Sequence, residues 1–344
     1  MRICFFADIR SIHTFRWLRY LVQKGYETSL ITPATYNHDG IEGVSIYKIP
    51  YFHSLDTILL NFGYIKWLIY KIKPDILHGI FLTNCAFYAS LTGFHPFVAT
   101  ALGSDVIADP KKSLRARIKL RYTLKKADFV TADADIVKRK IIDMYYPATK
   151  IKKVLFGVDS SLLLNRKKDG NSLILSCRSL KPNYNIDIII EAYKLVKKVL
   201  PSSRLVVVGD TSQNPKLLCK YENIEFLPSM PHNKIIDYMT NFDIFVSVPS
   251  SDASSVSLLE AMALGLFPIV SDIPANREWI KNEYNGCLVP PRDVHKLADS
   301  IIKAIRQSDL RESAARINRE IIKEKAIFED NMQKLEEIYH NLVK

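Results

Sequence analysis

The sequence predicts an α/β protein made of two parallel-sheet domains facing a central cleft. Three observations carry that expectation. Short apolar runs alternate with amphipathic helical stretches in both halves, as in strands joined by helical crossovers. The alternation lapses once, at Gly157-Val158-Asp159-Ser160-Ser161 and Asn165-Arg166-Lys167-Lys168-Asp169-Gly170-Asn171, which reads as a linker. The 344 residues are 48% apolar, enough for two cores at about 100–200 residues each.

The first half predicts strands at 2–7, 28–32, 44–49, 76–78, 97–100, 129–131 and 151–156. Between the first two, an amphipathic stretch at 11–24 stops at Gly25, and a later one at 133–145 stops before Pro147. The second half predicts a strand at 173–176 and a helix at 186–200 that ends before Pro201. A strand at 205–208 is closed by Gly209-Asp210, and strands at 224–227, 244–248 and 267–271 follow with helices between. From Val294 onward the pattern is helical. Residues 76–104 hold no formal charge over 29 positions. A membrane span needs about 20 predominantly apolar residues. Gly79, Asn84, Gly93, His95 and Pro96 interrupt this run, so a buried strand, helix and second strand explain it better.

Composition narrows the function. Five scattered cysteines (Cys4, Cys85, Cys177, Cys219, Cys287), with no Cys-x-x-Cys, exclude a disulfide framework and a zinc ribbon and fit a reducing cytosol. The apolar run after Met1 is too short for a signal peptide. The net charge is +12 and is unevenly placed. Residues 1–160 carry 23 Lys+Arg against 13 Asp+Glu, whereas 161–344 carry 25 against 23. Eight cations and no acid fall within 111–126, among them Lys111, Lys112, Arg115, Arg117, Lys119 and Arg121. Leu114, Ile118 and Arg121 share helical spacing, as do Leu120 and Leu124, giving an amphipathic basic helix. Such a face is either simply solvated or meets an anionic membrane surface or a phosphate-bearing partner. The segment 64–73 interleaves Lys with aromatics, which suits an interface and equally a helix packed on a sheet.

The chemistry concentrates at 249–272. A buried strand ends in a Ser-rich loop, and a helix follows that Ser254 or Ser255 can cap and Gly265 can end. The start of that helix suits a phosphate or sugar hydroxyls. Asp252 and Glu260 stand eight positions apart. Glu260 sits among Leu258, Leu259, Ala261 and Met262, where a carboxylate needs a partner; ribose hydroxyls would serve, as would a solvated helix edge. No G-x-G-x-x-G or Walker A loop occurs.

This segment resembles the signature of the retaining glycosyltransferases of family four, which have the GT-B fold. Their Glu-x7-Glu, Ala-Met-Ala-x-Gly-x-Pro-Val-Val and Asn-Gly-x-Leu-Val-Pro pattern is matched by Asp252-x7-Glu260, Ala261-Met262-Ala263-Leu264-Gly265, Pro268-Ile269-Val270 and Asn285-Gly286-Cys287-Leu288-Val289-Pro290. Leu205-Val206-Val207-Val208-Gly209-Asp210, Lys73-Pro74-Asp75-Ile76-Leu77-His78, Gly103-Ser104-Asp105-Val106, Ala127-Asp128 and Gly157-Val158-Asp159 resemble further landmarks of that family. The implied layout is an acceptor-side Rossmann-like domain at 1–160, a linker at 161–171 and a donor domain at 172–327. A last helix at about 328–344 would pack back on the first domain.

The resemblance implies a nucleotide-sugar donor held mainly by the second domain. Glu260 would bind the donor ribose, and Asp252 would sit near the donor sugar. Backbone N–H groups of Ala253, Ser254, Ser255 and Val256 would meet sugar and diphosphate. Arg178 would bind the diphosphate, a role its forked guanidinium suits. Leu227 to Met230 would lie against the base, and Gly209 would close the neighbouring strand. The chain departs from the pattern at several points. Asp252 replaces Glu, Ser254-Ser255 replace an aromatic and a glycine, and Asn183 stands near the family lysine, with Lys181 two residues away. Residues 8–14 replace a Gly-Gly loop, and Leu102 replaces a histidine. Catalytic expectations fall on Asp252, Asp105 and His13. His13 would hydrogen-bond donor sugar or acceptor, or else cap or pack its helix; His78, His95 and His232 are expected to be structural. The acceptor proton can pass to a donor phosphate oxygen, so no side-chain base is required. No His/Asp/Glu spacing suggests a metal, and no cofactor is expected.

The expectation is therefore a retaining transferase that moves a sugar from a nucleotide-sugar to a glycan or lipid-linked acceptor in cell-surface polysaccharide or glycolipid synthesis. It would be cytoplasmic and peripheral on the inner membrane face. A GT-B sugar-nucleotide epimerase is the alternative, disfavoured by 249–272. A non-catalytic basic binding protein comes last, because the basic segment lacks an RNA-stacking motif and nucleic acid is not an expected partner.

Overall fold

The structure, a computed structural model, describes residues 1–33, 40–49, 55–163, 173–210 and 224–344. Most of the expected linker and Cys219 lie outside the described residues. The chain divides into two compact units, one of Met1–Phe156 with Asp330–Lys344 and one of Gly157–Glu329.

The first unit is a seven-stranded parallel sheet in the order β3-β2-β1-β4-β5-β6-β7. Its strands are β1 (Arg2–Phe6), β2 (Glu27–Pro33), β3 (Val44–Ile49), β4 (Ile76–Ile80), β5 (Phe97–Ala101), β6 (Phe129–Ala132) and β7 (Ile151–Lys153). Helices α1 (Ile12–Gln23), α2 (Leu55–Ile72), α3 (Cys85–Leu91), α4 (Ser104–Ile107), α5 (Asp109–Lys112), α6 (Leu114–Lys126) and α7 (Asp135–Ile142) alternate with them. Every residue of β4 and β5 is buried, as strands covered on both faces require. The uncharged run 76–104 is therefore β4, α3 and β5, and no helix among the described residues is long and apolar enough to cross a membrane. β7 has three residues rather than the expected six; Val154 N–H still donates to the Ala132 carbonyl of β6 at 3.0 Å.

The second unit is a six-stranded parallel sheet in the order β10-β9-β8-β11-β12-β13. Its strands are β8 (Leu173–Ser176), β9 (Arg204–Val208), β10 (Glu225–Leu227), β11 (Ile244–Ser247), β12 (Phe267–Ser271) and β13 (Cys287–Val289). The helices are α8 (Ile186–Val199), α9 (His232–Met239), α10 (Val256–Ala263), α11 (Pro274–Arg277), α12 (Val294–Arg306) and α13 (Ser308–Lys325). The core joins Ile189, Tyr193 and Val196 of α8, Leu297 and Ile301 of α12, and the strand residues Leu205, Val207, Ile244 and Val246. Strand order reverses between β8 and β11. At such a switch point the loops part and leave a crevice beyond the carboxyl ends.

A last helix, α14 (Phe328–Val343), begins at the edge of the second unit and places its remaining residues in the first. Tyr339 is fully buried and pairs its hydroxyl with Nδ1 of His78 on β4. His78 Nε2 meets Thr100 Oγ1 at 2.6 Å, and Thr100 meets Thr131 at 2.6 Å, so one polar chain ties α14 across β4, β5 and β6.

Candidate active site

The crevice in the second unit begins where β8 ends. Arg178 follows Ser176 by two residues, and its Nη1 donates to Ser255 Oγ at 2.6 Å and to Ser257 Oγ at 2.9 Å. Its Nη2 donates to Asp252 Oδ2 at 2.5 Å, with the two side chains only 12% and 17% exposed. The guanidinium also lies 4.5 Å from the centre of the Tyr184 ring. Gly209, at the end of β9, lets this turn pass closely: a Cβ there would stand 2.8 Å from the Arg178 carbonyl oxygen.

The Ser-rich loop after β11 is held from the same side. Asn183 Nδ2 donates to the Ser251 carbonyl at 2.8 Å, and Ser250 N–H donates to the Asn183 carbonyl at 2.8 Å. Asn185 Nδ2 donates to the Val248 carbonyl at 2.8 Å and reaches Ser250 Oγ at 2.9 Å. Ser255 caps α10 by accepting Leu258 N–H, while Ala253 N–H turns onto Asp252 Oδ1 at 3.0 Å. Ser254 Oγ is buried with no partner among the described residues. Val256 opens the helix, and Lys181 is exposed at the rim.

Glu260, the fifth residue of α10, is only 5% exposed. Its Oε1 meets Nε2 of His232, the first residue of α9, at 2.6 Å. A carboxylate only accepts, so His232 is the donor. His232 was expected to be structural; the structure sets it on the carboxylate assigned to the ribose, beyond the half-buried Leu227 and Met230. Nearby, burial and then the Glu260 charge push the Cys177 thiol up to about 12, so it stays protonated.

Expectations for the first unit need two corrections. Asp105 does not face a crevice. It is fully buried, and Oδ2 accepts the Leu82 N–H at 2.7 Å while Oδ1 accepts the Leu102 N–H at 3.1 Å. It clamps the loops after β4 and β5 and so can act on bound molecules only by positioning those loops. Burial, the leading cause, raises its carboxyl to about 6 despite those bonds. Lys119 is not a free cation of the basic helix. Its ammonium lies 5.1 Å and 5.2 Å from the ring centres of Phe87 and Tyr88, and burial lowers its pKa. Arg115, Arg117, Arg121 and Lys111 are exposed; the Lys112 side chain lies outside the described residues. Leu120 and Leu124 form the buried face of α6, but Leu114 and Ile118 stand 68% and 60% exposed among the arginines. His13, in the first turn of α1, stacks on Phe156 at 4.0 Å. No group of three or more His, Cys, Asp or Glu side chains suited to a metal occurs among the described residues.

Comparison with known proteins identifies the architecture. The model of glycosyl transferases group 1 matches residues 164–321, and that of glycosyl transferase 4-like proteins matches residues 2–134. The chain belongs to the GT-B glycosyltransferases. Among solved structures, Anabaena HepE, crystallised with UDP, superposes with a TM-score of 0.82 at 15% identity, covering 99% of this chain and 100% of that one. The GtfA subunit of a UDP-N-acetylglucosamine–peptide N-acetylglucosaminyltransferase from Streptococcus agalactiae is 24% identical over 181 residues, 49% of this chain and 36% of that protein. An N,N'-diacetylbacillosaminyl-diphospho-undecaprenol alpha-1,3-N-acetylgalactosaminyltransferase from Campylobacter jejuni is 28% identical over 132 residues, 37% of this chain and 34% of that protein. The alignments thus span about a third of these two relatives.

In this GT-B glycosyltransferase, Arg178, Asp252 and Ser255, which the sequence singles out, form one hydrogen-bonded cluster, with Glu260 on the adjoining helix, whereas no site role is read from the sequence for His232, Ser257, Tyr184 and Asn185. The first three touch Glu260 or Arg178 across breaks of 28, 79 and 6 positions, which periodicity does not connect. Asn185 carried a local signal: an Asn just before a helical run is a favoured cap or turn residue.

Proposed function

We propose that this chain is a retaining glycosyltransferase of family four. It takes a nucleotide-sugar in the second unit and passes the sugar to a lipid-linked or glycan acceptor at the cytosolic membrane face. The observation that carries the reading is Glu260, buried, oriented by His232, and sharing α10 with the loop that holds Arg178. This arrangement offers hydrogen-bond acceptors for a ribose and a cation for a diphosphate. As the bond between sugar and phosphate breaks, charge grows on the leaving diphosphate, and a preorganised guanidinium stabilises it. The acceptor hydroxyl attacks from the face the leaving group departs, and its proton passes to a phosphate oxygen, so configuration at the sugar is kept.

UDP-, GDP- and ADP-sugars are the direct test. Thermal unfolding with each at one common concentration should show stabilisation by the true donor, about 2.7 kcal/mol where that concentration is 100 times its Kd, and none by sugars that do not bind. Product anomers read by NMR should keep the donor configuration; inversion sinks the retaining assignment. The Campylobacter relative's name includes a diphospho-undecaprenol carrier, which supports a lipid-linked acceptor here. Exposed Leu114 and Ile118 between Arg115, Arg117 and Arg121 support peripheral attachment, as does α2, where Trp67 is half exposed with Lys71 5.2 Å from its ring. Each engaged cation is worth about 1 kcal/mol near an anionic surface, less in salt. Wild type should co-sediment with anionic vesicles at low salt, and reversal of Arg115, Arg117 and Arg121 to Glu should release it. Indifference of wild type to anionic vesicles makes α6 a solvated face.

A further inference from the structure

Arg292 occupies an unusual position. It follows β13 in Pro290-Pro291-Arg292-Asp293, just before Asp293 caps α12 by accepting the Lys296 N–H at 2.9 Å. Its φ is 67°, in the left-handed region that glycine enters freely and a side-chain-bearing residue enters under strain. A glycine would relax this turn, so the strain marks Arg292 as a position whose side chain can have a role beyond the turn itself. Arg292 Nη1 lies 3.4 Å from Asn185 Oδ1. Asn185 is 1% exposed and is itself left-handed, with φ 49°. Its amide nitrogen is taken by Val248 and Ser250, so its oxygen is the group presented to Arg292. Asn185 directly follows Tyr184, whose ring carries the Arg178 guanidinium. Arg292 is thereby drawn from the edge strand toward the Arg178 crevice.

Charge says what it would do there. The Arg178 cation is offset by the Asp252 carboxylate at 2.5 Å, and both its terminal nitrogens already donate to protein oxygens. A terminal phosphate carries about −1.5 to −2 charges near neutral pH. A neutral pair is a poor match for that. Arg292 is exposed and pairs with no carboxylate among the described residues. Its planar fork can take two phosphate oxygens at once, which the exposed ammonium of Lys181 cannot.

We infer that Arg292 is a second, diphosphate-binding cation of the donor site. The inference rests on the donor-site reading above. The test is calorimetric titration of the full chain with UDP, GDP and ADP and with the three parent nucleosides, for wild type, Arg292→Gly and Arg292→Lys, with Tm measured alongside. The expected result is a tenfold or greater loss of nucleoside diphosphate affinity in Arg292→Gly and unchanged nucleoside affinity. Lys should recover part of the loss, and Tm of the Gly variant should be equal or higher because the turn relaxes. Diphosphate affinity in Arg292→Gly within twofold of wild type overturns the assignment and leaves the donor reading intact. Equal losses for diphosphate and nucleoside, or a Tm lowered by several degrees, overturn it as well, by making Arg292 structural. Failure of wild type to bind any of the three diphosphates overturns the donor reading, and the assignment with it.

Discussion

Glu260 finds a hydrogen-bond partner in a nearly closed setting because His232 reaches it from another helix. Removing that donor leaves a buried carboxylate under-satisfied, at about 1–3 kcal/mol. His232→Ala should weaken binding of the ribonucleotide donor roughly tenfold while leaving that of its 2′-deoxy analogue nearly unchanged, and His232→Gln should recover part of the loss. Equal losses for the two ligands would remove the pair from ribose recognition. Asp105 makes a different prediction. Its carboxyl stands at about 6 in the folded chain, against 3.8 as a free group. The folded state therefore holds a proton that the unfolded chain releases between those values. The stability tied to that proton is complete below about 3.8 and is lost as pH rises through about 6. The loss is roughly 3 kcal/mol at neutral pH. Urea unfolding of wild type and Asp105→Asn at pH 7 and pH 4.5 should show wild type gaining on the variant at the lower pH; a constant difference would refute it. At this scale the sequence disclosed residue types better than their surroundings. Asp105 and Glu260 could each be read as a site carboxylate, and only the packed structure shows one enclosed by backbone N–H groups and the other by an imidazole.

Helix α10 shows what local patterning can reach. A Ser cap, an apolar run and Gly265 bracket it in the sequence, and the structure starts it one residue after Ser255 and ends it at Ala263. Ser255→Ala should cost about 1 kcal/mol as a lost cap, measured by urea midpoint. It should also weaken nucleotide binding, because the same hydroxyl holds Arg178. A stability loss with normal nucleotide affinity would separate the two roles. Strands framed by turns were equally legible. β13 was not, since three residues between Asn285-Gly286 and Pro290 carry no alternation and are set by pairing with β12. The basic helix α6 was legible in charge but not in orientation. Lys119 turns inward onto Phe87 and Tyr88 and Ile118 turns out, a choice made by packing against α3.

For the molecule as a whole, strand order reverses between β8 and β11, the kind of switch point at which open parallel sheets bind ligands, and the alternation of apolar runs foretold both sheets. What it could not show is how α14 is fastened. Burial lowers His78 to about 3, so it remains neutral between Tyr339 and Thr100. The unfolded chain takes up that proton below about 6.5, so acidification from pH 7 to 5 should cost roughly 2 kcal/mol at this site. Tyr339→Phe breaks the chain of hydroxyls, and deleting 330–344 removes the helix that bears it. Hydrogen exchange on the deletion variant should show protection lost in β4 and β5 and retained in β8 and β11; full protection of β4 would refute the fastening role. The first unit also has a consequence for birth order. Its opening 156 residues leave the ribosome before any of the second unit, yet its last 15 leave after all of it. The second unit is complete in sequence before those 15 residues are added. The first must wait, with the hollow around His78 still open, until translation delivers Tyr339, so a chain stalled shortly before its end would expose the sheet of the unit made earliest.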